Sequence, residues 1–209
     1  KEIDSKFGRN VAFETIRKAF NLGKNYLTER GISISLEDFD VEQRIIDLSE
    51  EIVKKAEEKT LEIIDQYNKG TLEVIQGKSP DESREIKILK VLNEVRTKIG
   101  EIVRLEFPKD NPVTHMIKSG GGGNILNITQ MACCVGQQDL EGKRIDIGFN
   151  DRTLSFFKKG DLNPKAKGFI RSAFMKGLKP EEFFFQAMTG RSSLMDTALR
   201  TPKSGYLYR

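Results

Sequence analysis

Two long stretches of this chain carry apolar residues at spacings of three and four, and this pattern constrains the fold more than any other feature. The first covers about residues 41–68 and the second residues 81–106. Such spacing puts the apolar side chains on one narrow helical face. A short Gly-Lys-Ser-Pro loop at 77–80 separates the two. We therefore predict an antiparallel helical hairpin, about 41–106. Because one partner helix is enough to cover each narrow apolar stripe, we expect the hairpin to project from the rest of the molecule. The alternative is that the two helices are an ordinary element of a helical bundle.

The rest of the chain predicts a mainly α fold with smaller helices, short strands and irregular loops, ending in a long helix. Residues 9–30 have the pattern of an amphipathic helix, and residues 32–36 alternate like a short strand. Asp40 is placed to cap the first hairpin helix, with Gln43 completing a capping box. These signals define the order of elements before the hairpin.

The sequence after the hairpin predicts a buried helix over residues 125–134 and a short helix over residues 165–176, with a turn-rich stretch between them. Pro180 then stands in the first turn of the last helix, where its missing N–H has no cost. Pro202 leaves two possibilities, a helix that ends near Thr201 or one that bends there. The residues alone favour the end.

Composition excludes some classes of protein and leaves others open. The 209 residues are 37% hydrophobic and 32% charged, with a formal net charge of +4. This mild basicity permits contact with nucleic acid without demanding it. The two cysteines are adjacent, which excludes a disulfide framework and favours a reducing, intracellular setting. There is no apolar run of membrane-spanning length.

No catalytic centre is evident from the residues. The four glycines at 120–123 lack the lysine of a phosphate-binding loop. His115 has no cluster of possible metal ligands beside it, so a structural role is the better interpretation. Asp38 and Asp40 are better explained by helix capping than by a metal site, because a third oxygen ligand is missing.

Several short motifs nevertheless occur in a fixed order in the last third of the chain, and by them it resembles the largest subunit of the multisubunit DNA-directed RNA polymerases, most of all in its archaeal A′ form. The motifs are Asn-Ile-Thr-Gln-Met (127–131), Val-Gly-Gln-Gln (135–138), Glu-Gly-Lys-Arg-Ile (141–145), Glu-Phe-Phe-Phe (182–185), Asp-Thr-Ala (196–198) and Ser-Gly-Tyr (204–206). One departure is Ser192-Ser193, where the family commonly has Glu-Gly.

The resemblance implies three regions. Residues 1–110 would be the funnel region with the helical hairpin, residues 111–177 a loop-rich helical segment bordering the secondary channel, and residues 178–209 a truncated bridge helix. The chain would then be a piece of a longer polypeptide. In this family the bridge helix is thought to flex during translocation, so the resemblance favours a continuous helix with Pro202 as a weak joint.

The resemblance also implies roles for individual residues. Template contact at the active centre is expected from Arg200, Thr201, Pro202, Lys203 and Tyr206. Lining of the secondary channel is expected from Gln137, Gln138, Lys143, Arg144 and Arg191. No catalytic and no metal-binding residue is expected, because the magnesium ions of the whole enzyme would be bound by residues absent here.

As a fragment of a nucleotidyltransferase, this piece is expected to be inactive alone. The implied partners are other polymerase subunits, the DNA template and RNA–DNA hybrid, nucleoside triphosphates and a transcript-cleavage factor at the funnel, with no membrane. The location would be cytoplasmic (nucleoid) for an archaeal protein or nuclear for a eukaryotic one. The alternative is a non-enzymatic docking module built on the helical hairpin.

Overall fold

The computed structural model describes residues 1–146 and 148–209, and it is mainly α, as predicted. The helices are α1 (Glu2–Phe7), α2 (Arg9–Arg30), α3 (Gln43–Asn68), α4 (Pro80–Glu106), α5 (Pro112–Ser119), α6 (Ile125–Ala132) and α7 (Pro180–Tyr208). The strands are β1 (Gly136–Gln137), β2 (Asp139–Leu140), β3 (Lys143–Arg144) and β4 (Phe169–Ile170). Two short 3₁₀ helices, Glu37–Phe39 and Pro164–Lys167, complete the elements.

Helices α3 and α4 form the predicted antiparallel hairpin. Tyr67 near the end of α3 contacts Asp81 at the start of α4, and Arg44 near the start of α3 lies 3.8 Å from Glu106 at the end of α4. The start of α4 is fixed by a capping box, in which Ser79 and Glu82 satisfy each other's backbone N–H groups. The spacing of three and four between apolar residues in the two stretches therefore predicted both helices correctly.

Helix α4 is the centre of the molecule, so the expectation of a hairpin that projects from its surroundings is wrong. Helix α4 packs on α3 and also on α6, β1 and β3. Ile88, Leu92 and Ile99 are completely buried in this core. Gly100 of α4 faces α6, where a β-carbon at this position would be in ordinary van der Waals contact with the Thr129 hydroxyl at 3.6 Å. The hairpin is therefore packed against the segment that follows it instead of projecting from the molecule.

Two small antiparallel ladders shape the segment after α6. In the first, Gly136 pairs with Ile170 and Gln137 with Phe169, which joins β1 to β4. In the second, β2 and β3 form a hairpin whose two turn residues, Glu141 and Gly142, have φ angles of 53° and 76°. Positive φ at both positions is the geometry of a two-residue turn that matches the twist of its strands.

Three local predictions are wrong, and each error has a physical reason. Residues 32–36 find no partner strand; instead the Ser35 N–H donates to the Asp38 carboxylate at 2.7 Å, beside the first 3₁₀ helix. Helix α3 begins at Gln43 after an uncapped Glu42, and no capping box forms with Asp40, since the Gln43 amide instead donates to Asp47 one turn ahead. Residues 165–176 are not a helix, since the chain turns at a left-handed Gly168 (φ 88°) to pair as β4.

The two ends of the chain are helical and largely uncovered. Helix α2 matches the predicted residues 9–30, yet none of its residues is buried. Helix α6 ends at Ala132, two residues earlier than predicted. Helix α7 runs for 29 residues straight through Pro202, so the interpretation from the residues alone that it ends near Thr201 is wrong. None of the helices in the described part of the chain is both long and apolar enough to span a bilayer.

The buried stripe of α4 generates a prediction about stability. We expect Leu92→Ala to lower the free energy of unfolding by about 2–5 kcal/mol, because it removes buried methyl groups and leaves a cavity. The control is Leu105→Ala in the same helix, where the side chain is 75% exposed and the expected change is within about 0.5 kcal/mol. Urea denaturation followed by circular dichroism measures both, and equal effects would contradict the central place of α4.

Candidate functional site

The root of α7 is held by one buried carboxylate. Glu182 is 5% exposed. Its Oε1 accepts hydrogen bonds from the backbone N–H groups of Arg171 and Ser172 at 3.1 and 3.3 Å, and its Oε2 accepts one from Lys179 N–H at 3.0 Å. A buried carboxylate is stable when charged donors or several N–H groups satisfy it. Glu182 therefore joins the first turn of α7 to the segment after β4.

Apolar packing and one ion pair complete the root. Phe185 is fully buried, and its ring stacks on that of Phe157 with 6.3 Å between centroids. The Lys165 ammonium lies 3.0 Å from Glu181, at the edge of the same contact. The N-terminal third of α7 is thus fixed to the loop-rich segment.

The far part of α7 is free of contacts that bury it, since every residue from 191 to 209 is exposed. All five residues predicted to contact the template lie here, at 200–203 and at Tyr206, which is 75% exposed. The sequence after Asp196 contains Arg200, Lys203 and Arg209 and no carboxylate side chain. This end of the helix is therefore an exposed, positively charged rod.

The backbone of the rod is weakened near its middle. Pro202 has no N–H, so the carbonyl of Ala198 loses its ladder donor. The Thr201 hydroxyl donates to the Thr197 carbonyl at 2.9 Å, and the Thr197 hydroxyl donates to the Ser193 carbonyl at 3.0 Å. Such hydroxyl bonds to the preceding turn favour bending of a helix. The three residues together mark the place where the rod bends most easily.

Arg200 is held along the helix surface rather than free in solution. Its Nη2 donates to both carboxylate oxygens of Asp196, at 2.9 and 2.7 Å. This hydrogen bond and the charge of Asp196 raise the pKa of Arg200. The guanidinium is therefore oriented one turn back along α7, with most of its surface open to solvent.

An open cavity lies between the β2–β3 hairpin and α7. The hairpin contributes Leu140, Lys143 and Ile145 to its walls, and the helix contributes Met188 and Arg191 among others. Lys143 and Arg191 are exposed. Of the five residues predicted to line the secondary channel, these two have cationic groups open to solvent.

The other three predicted channel residues are buried and are bound to groups of this chain. The Arg144 side chain is 1% exposed and pairs with both Glu85 oxygens, Nε to Oε2 at 2.8 Å and Nη2 to Oε1 at 2.9 Å. The Gln137 amide donates to the carbonyls of Gln138 and Lys167 at 2.7 and 2.8 Å. Gln138 is 7% exposed. Arg144, Gln137 and Gln138 therefore support the cavity wall from inside.

Glu85 is the centre of a charged network at the tip of the hairpin. Besides Arg144 it accepts from Arg84 at 3.1–3.2 Å, and the Arg84 guanidinium lies over the Tyr67 ring at 4.2 Å. Burial alone would raise the pKa of Glu85, but the two guanidinium groups outweigh it and lower that pKa. The network ties β3 to α4 and to the end of α3.

The two cysteines, His115 and Asp38 are not arranged as a catalytic or metal-binding site. Burial raises the pKa of Cys133 to about 11 and that of Cys134 to about 12, so neither thiol is a nucleophile near neutral pH. His115 Nε2 lies 3.1 Å from the exposed Asp110 carboxylate. The Asp38 carboxylate is used by Ser35, and the described residues contain no group of three or more His, Cys, Asp or Glu that could hold a metal.

Sequence reasoning did not assign roles to Glu85 and Glu182, the two carboxylates on which this arrangement depends. For Glu182 a signal existed, because an acid two residues after a first-turn proline often satisfies the N-terminal N–H groups of a helix. For Glu85 there was none, since its partner Arg144 is distant in sequence and nothing local connects them.

The Glu85 network predicts a pH-dependent part of the stability. Because the folded pKa of Glu85 is lowered, the stabilisation is fully present above its unfolded value of about 4.3 and is lost as the pH falls through the folded pKa. We therefore expect Glu85→Gln to destabilise the chain at pH 7 and to cost clearly less at about pH 3. Urea denaturation across this range tests it, with the exposed Glu101→Gln in the same helix as control. A Glu85→Gln effect that does not shrink on acidification would contradict the assignment.

The weakened backbone at Pro202 predicts a local change in dynamics. Pro202→Ala restores the N–H donor to the Ala198 carbonyl, so we expect slower amide hydrogen exchange over residues 199–207, with a local gain of up to about 3 kcal/mol. Leu199→Ala is the control, because it shortens an exposed side chain without changing the hydrogen-bond ladder. Exchange rates measured by mass spectrometry that are the same in both variants would rule out a weakened joint.

Comparisons with known proteins place the chain in a family. The family model described as RNA polymerase Rpb1, domain 4 matches residues 63–170, and that described as RNA polymerase Rpb1, domain 5 matches residues 177–209. DNA-directed RNA polymerase subunit Rpo1N of Methanocaldococcus jannaschii is 42% identical over 207 residues, which is 99% of this chain and 15% of that protein.

Other archaeal relatives give the same result. Subunit Rpo1N of Halococcus morrhuae is 42% identical over 99% of this chain and 59% of its own sequence, and that of Thermoplasma acidophilum is 36% identical over the whole chain and 24% of its own. The chain thus spans between about a seventh and three fifths of the length of these relatives. It belongs to the family of the largest subunit of DNA-directed RNA polymerase, in the N-terminal part that archaeal relatives carry as Rpo1N.

Proposed function

We propose that this chain is the part of a DNA-directed RNA polymerase in which a helix is laid against the template at the active centre while a helical hairpin shapes the entry path for nucleoside triphosphates. The observation that carries the proposal is the build of α7, with a buried root at Glu182 and Phe185 and an exposed, cationic far half. A helix built in this way is suited to cross an open cleft.

Template contact is assigned to Arg200, Thr201, Pro202, Lys203 and Tyr206. Arginine and lysine groups attract phosphates, and these contacts position a nucleic acid without reading its sequence. The Arg200 guanidinium, although paired with Asp196, is largely open to solvent, and Lys203 is exposed. Tyr206 adds an exposed ring on which a base can stack. The weakened backbone around Pro202 gives the rod a place to bend as the template advances.

The secondary channel is assigned to the cavity between the β2–β3 hairpin and α7. Lys143 and Arg191 face solvent there and can interact with the phosphates of an entering nucleoside triphosphate. Gln137, Gln138 and Arg144 keep the wall in shape from behind. The outer surface of the α3–α4 hairpin, the funnel region, is the place where a transcript-cleavage factor would dock.

The reaction of the whole enzyme, transfer of a nucleotide to the RNA 3′ end, is proposed to use magnesium ions held outside this segment. The described residues do not fit such a site, since they hold no cluster of carboxylates. This segment would supply template position and substrate access, and alone it would not incorporate nucleotides. The other subunits of the polymerase are its partners, and the archaeal relatives favour a cytoplasmic location.

Substitutions in the rod test the proposal in the assembled polymerase. We expect Arg200→Ala and Thr201→Ala each to slow nucleotide addition by about tenfold or more on a template–RNA scaffold, because misplacement of the template by about 1 Å is costly. The matched control is Lys18→Ala, an exposed cation of α2 far along the chain, which should leave the rate within about twofold. Full activity of both rod variants would contradict a bridge helix and favour a docking module built on the hairpin.

A further inference from the structure

The direction of the exposed half of α7 is set by the contacts of its first third. Among the described residues these contacts are the root and β2, and every residue from 191 onward is exposed. At 1.5 Å per residue, residues 200–206 lie about 27–36 Å beyond Glu182 along the helix axis. Over this distance a tilt of about 5° at the root displaces the far residues by about 2–3 Å. A small change in the angle at which α7 leaves the root therefore produces a displacement of several ångströms at the residues proposed to contact the template.

The contacts at the root differ in how well they fix a direction. Phe185 and Phe157 bury apolar surface, and this attraction is non-directional. The Lys165–Glu181 pair involves a long lysine side chain that is 60% exposed, so it restricts the direction of the helix only weakly. Only Glu182 makes several hydrogen bonds to backbone groups, whose geometry is restrictive.

The backbone that Glu182 binds is itself part of the core. Arg171 and Ser172 directly follow β4, which pairs with β1, and β1 packs on α4. The Ser172 carbonyl also accepts from Val135 N–H at 3.1 Å. The third donor, Lys179 N–H, belongs to the helix start. One carboxylate thus connects the rigid core and the first residue before α7.

We propose that Glu182 is a positioning residue for RNA synthesis, whose carboxylate aims the exposed half of α7 at the template. The inference rests on the proposed function of this helix. Glu182 touches neither template nor substrate; it acts by fixing the angle at which α7 leaves the core.

The variant Glu182→Gln removes this function while keeping the size of the side chain. A carboxylate can accept all three N–H bonds, two on Oε1 and one on Oε2. A glutamine has one acceptor oxygen, and its NH₂ group would face at least one N–H donor without a bond. The helix still forms and Phe185 still anchors it, but its exit angle is no longer fixed.

The test uses the assembled polymerase with a photo-cross-linking phenylalanine analogue at Leu207, which is 82% exposed on the rod. With Glu182 present, we expect cross-links to a narrow set of template nucleotides. In Glu182→Gln we expect the cross-links to spread or shift along the template and kcat for nucleotide addition to fall about tenfold to a hundredfold, with KM for the nucleotide little changed. Glu182→Asp, which keeps the charge but shortens the reach, should lie between.

Glu181→Gln is the matched control, because it alters the neighbouring carboxylate and leaves the three backbone bonds intact. Its cross-links and kcat should equal those of the unsubstituted enzyme. A purely structural role for Glu182 would lower the thermal stability or the yield of assembled enzyme without moving the cross-links, and this outcome overturns the inference. If even the unsubstituted enzyme gives no template cross-link from position 207, the proposed function of α7 fails first, and the inference fails with it.

Discussion

The burial of one broad face of α4 is the constraint on which the rest of the molecule depends. This face, which carries the apolar stripe, is shared by α3, α6, β1 and β3, while the opposite face of the helix is exposed to solvent. Burying such side chains contributes about 1.5–3 kcal/mol each, which is enough to hold a segment that has little regular structure of its own. The short ladders and loops after α6 keep their shape because α4 gives them a surface.

Two carboxylates, the partly buried Glu85 and the buried Glu182, then set the angles between the parts. Glu85 binds Arg144 across the tip of the hairpin, and Glu182 binds the backbone at the start of α7. Apolar packing brings segments together without choosing one relative orientation, whereas hydrogen bonds to fixed donors choose it. The exposed cationic groups of Lys143, Arg191 and Arg200 lie on elements that these two carboxylates hold in place.

The sequence predicted those elements whose signals are local. The hairpin helices, α2 and the start of α7 follow from a period near 3.6 and from Pro180, so they needed no knowledge of distant residues. The errors at residues 32–36 and 165–176 arose where pairing with a distant strand determines the local structure. Strand β4 forms because β1 lies beside it, whereas residues 32–36 have no partner strand. The resemblance implied a channel-lining role for Arg144, but no local signal indicated that its side chain is buried against Glu85, which is far away in sequence. The family resemblance supplied what local physics could not, namely a helix continuous through Pro202.

The exposed apolar face of helix α2 determines how temperature affects any association made through it. Its Phe13, Ile16 and Phe20 lie at spacings of three and four on one face and are 64–70% exposed. Contact with any surface that covers this face removes apolar area from water, so the association has a negative heat-capacity change. The hydrophobic contribution to such an association therefore weakens on cooling.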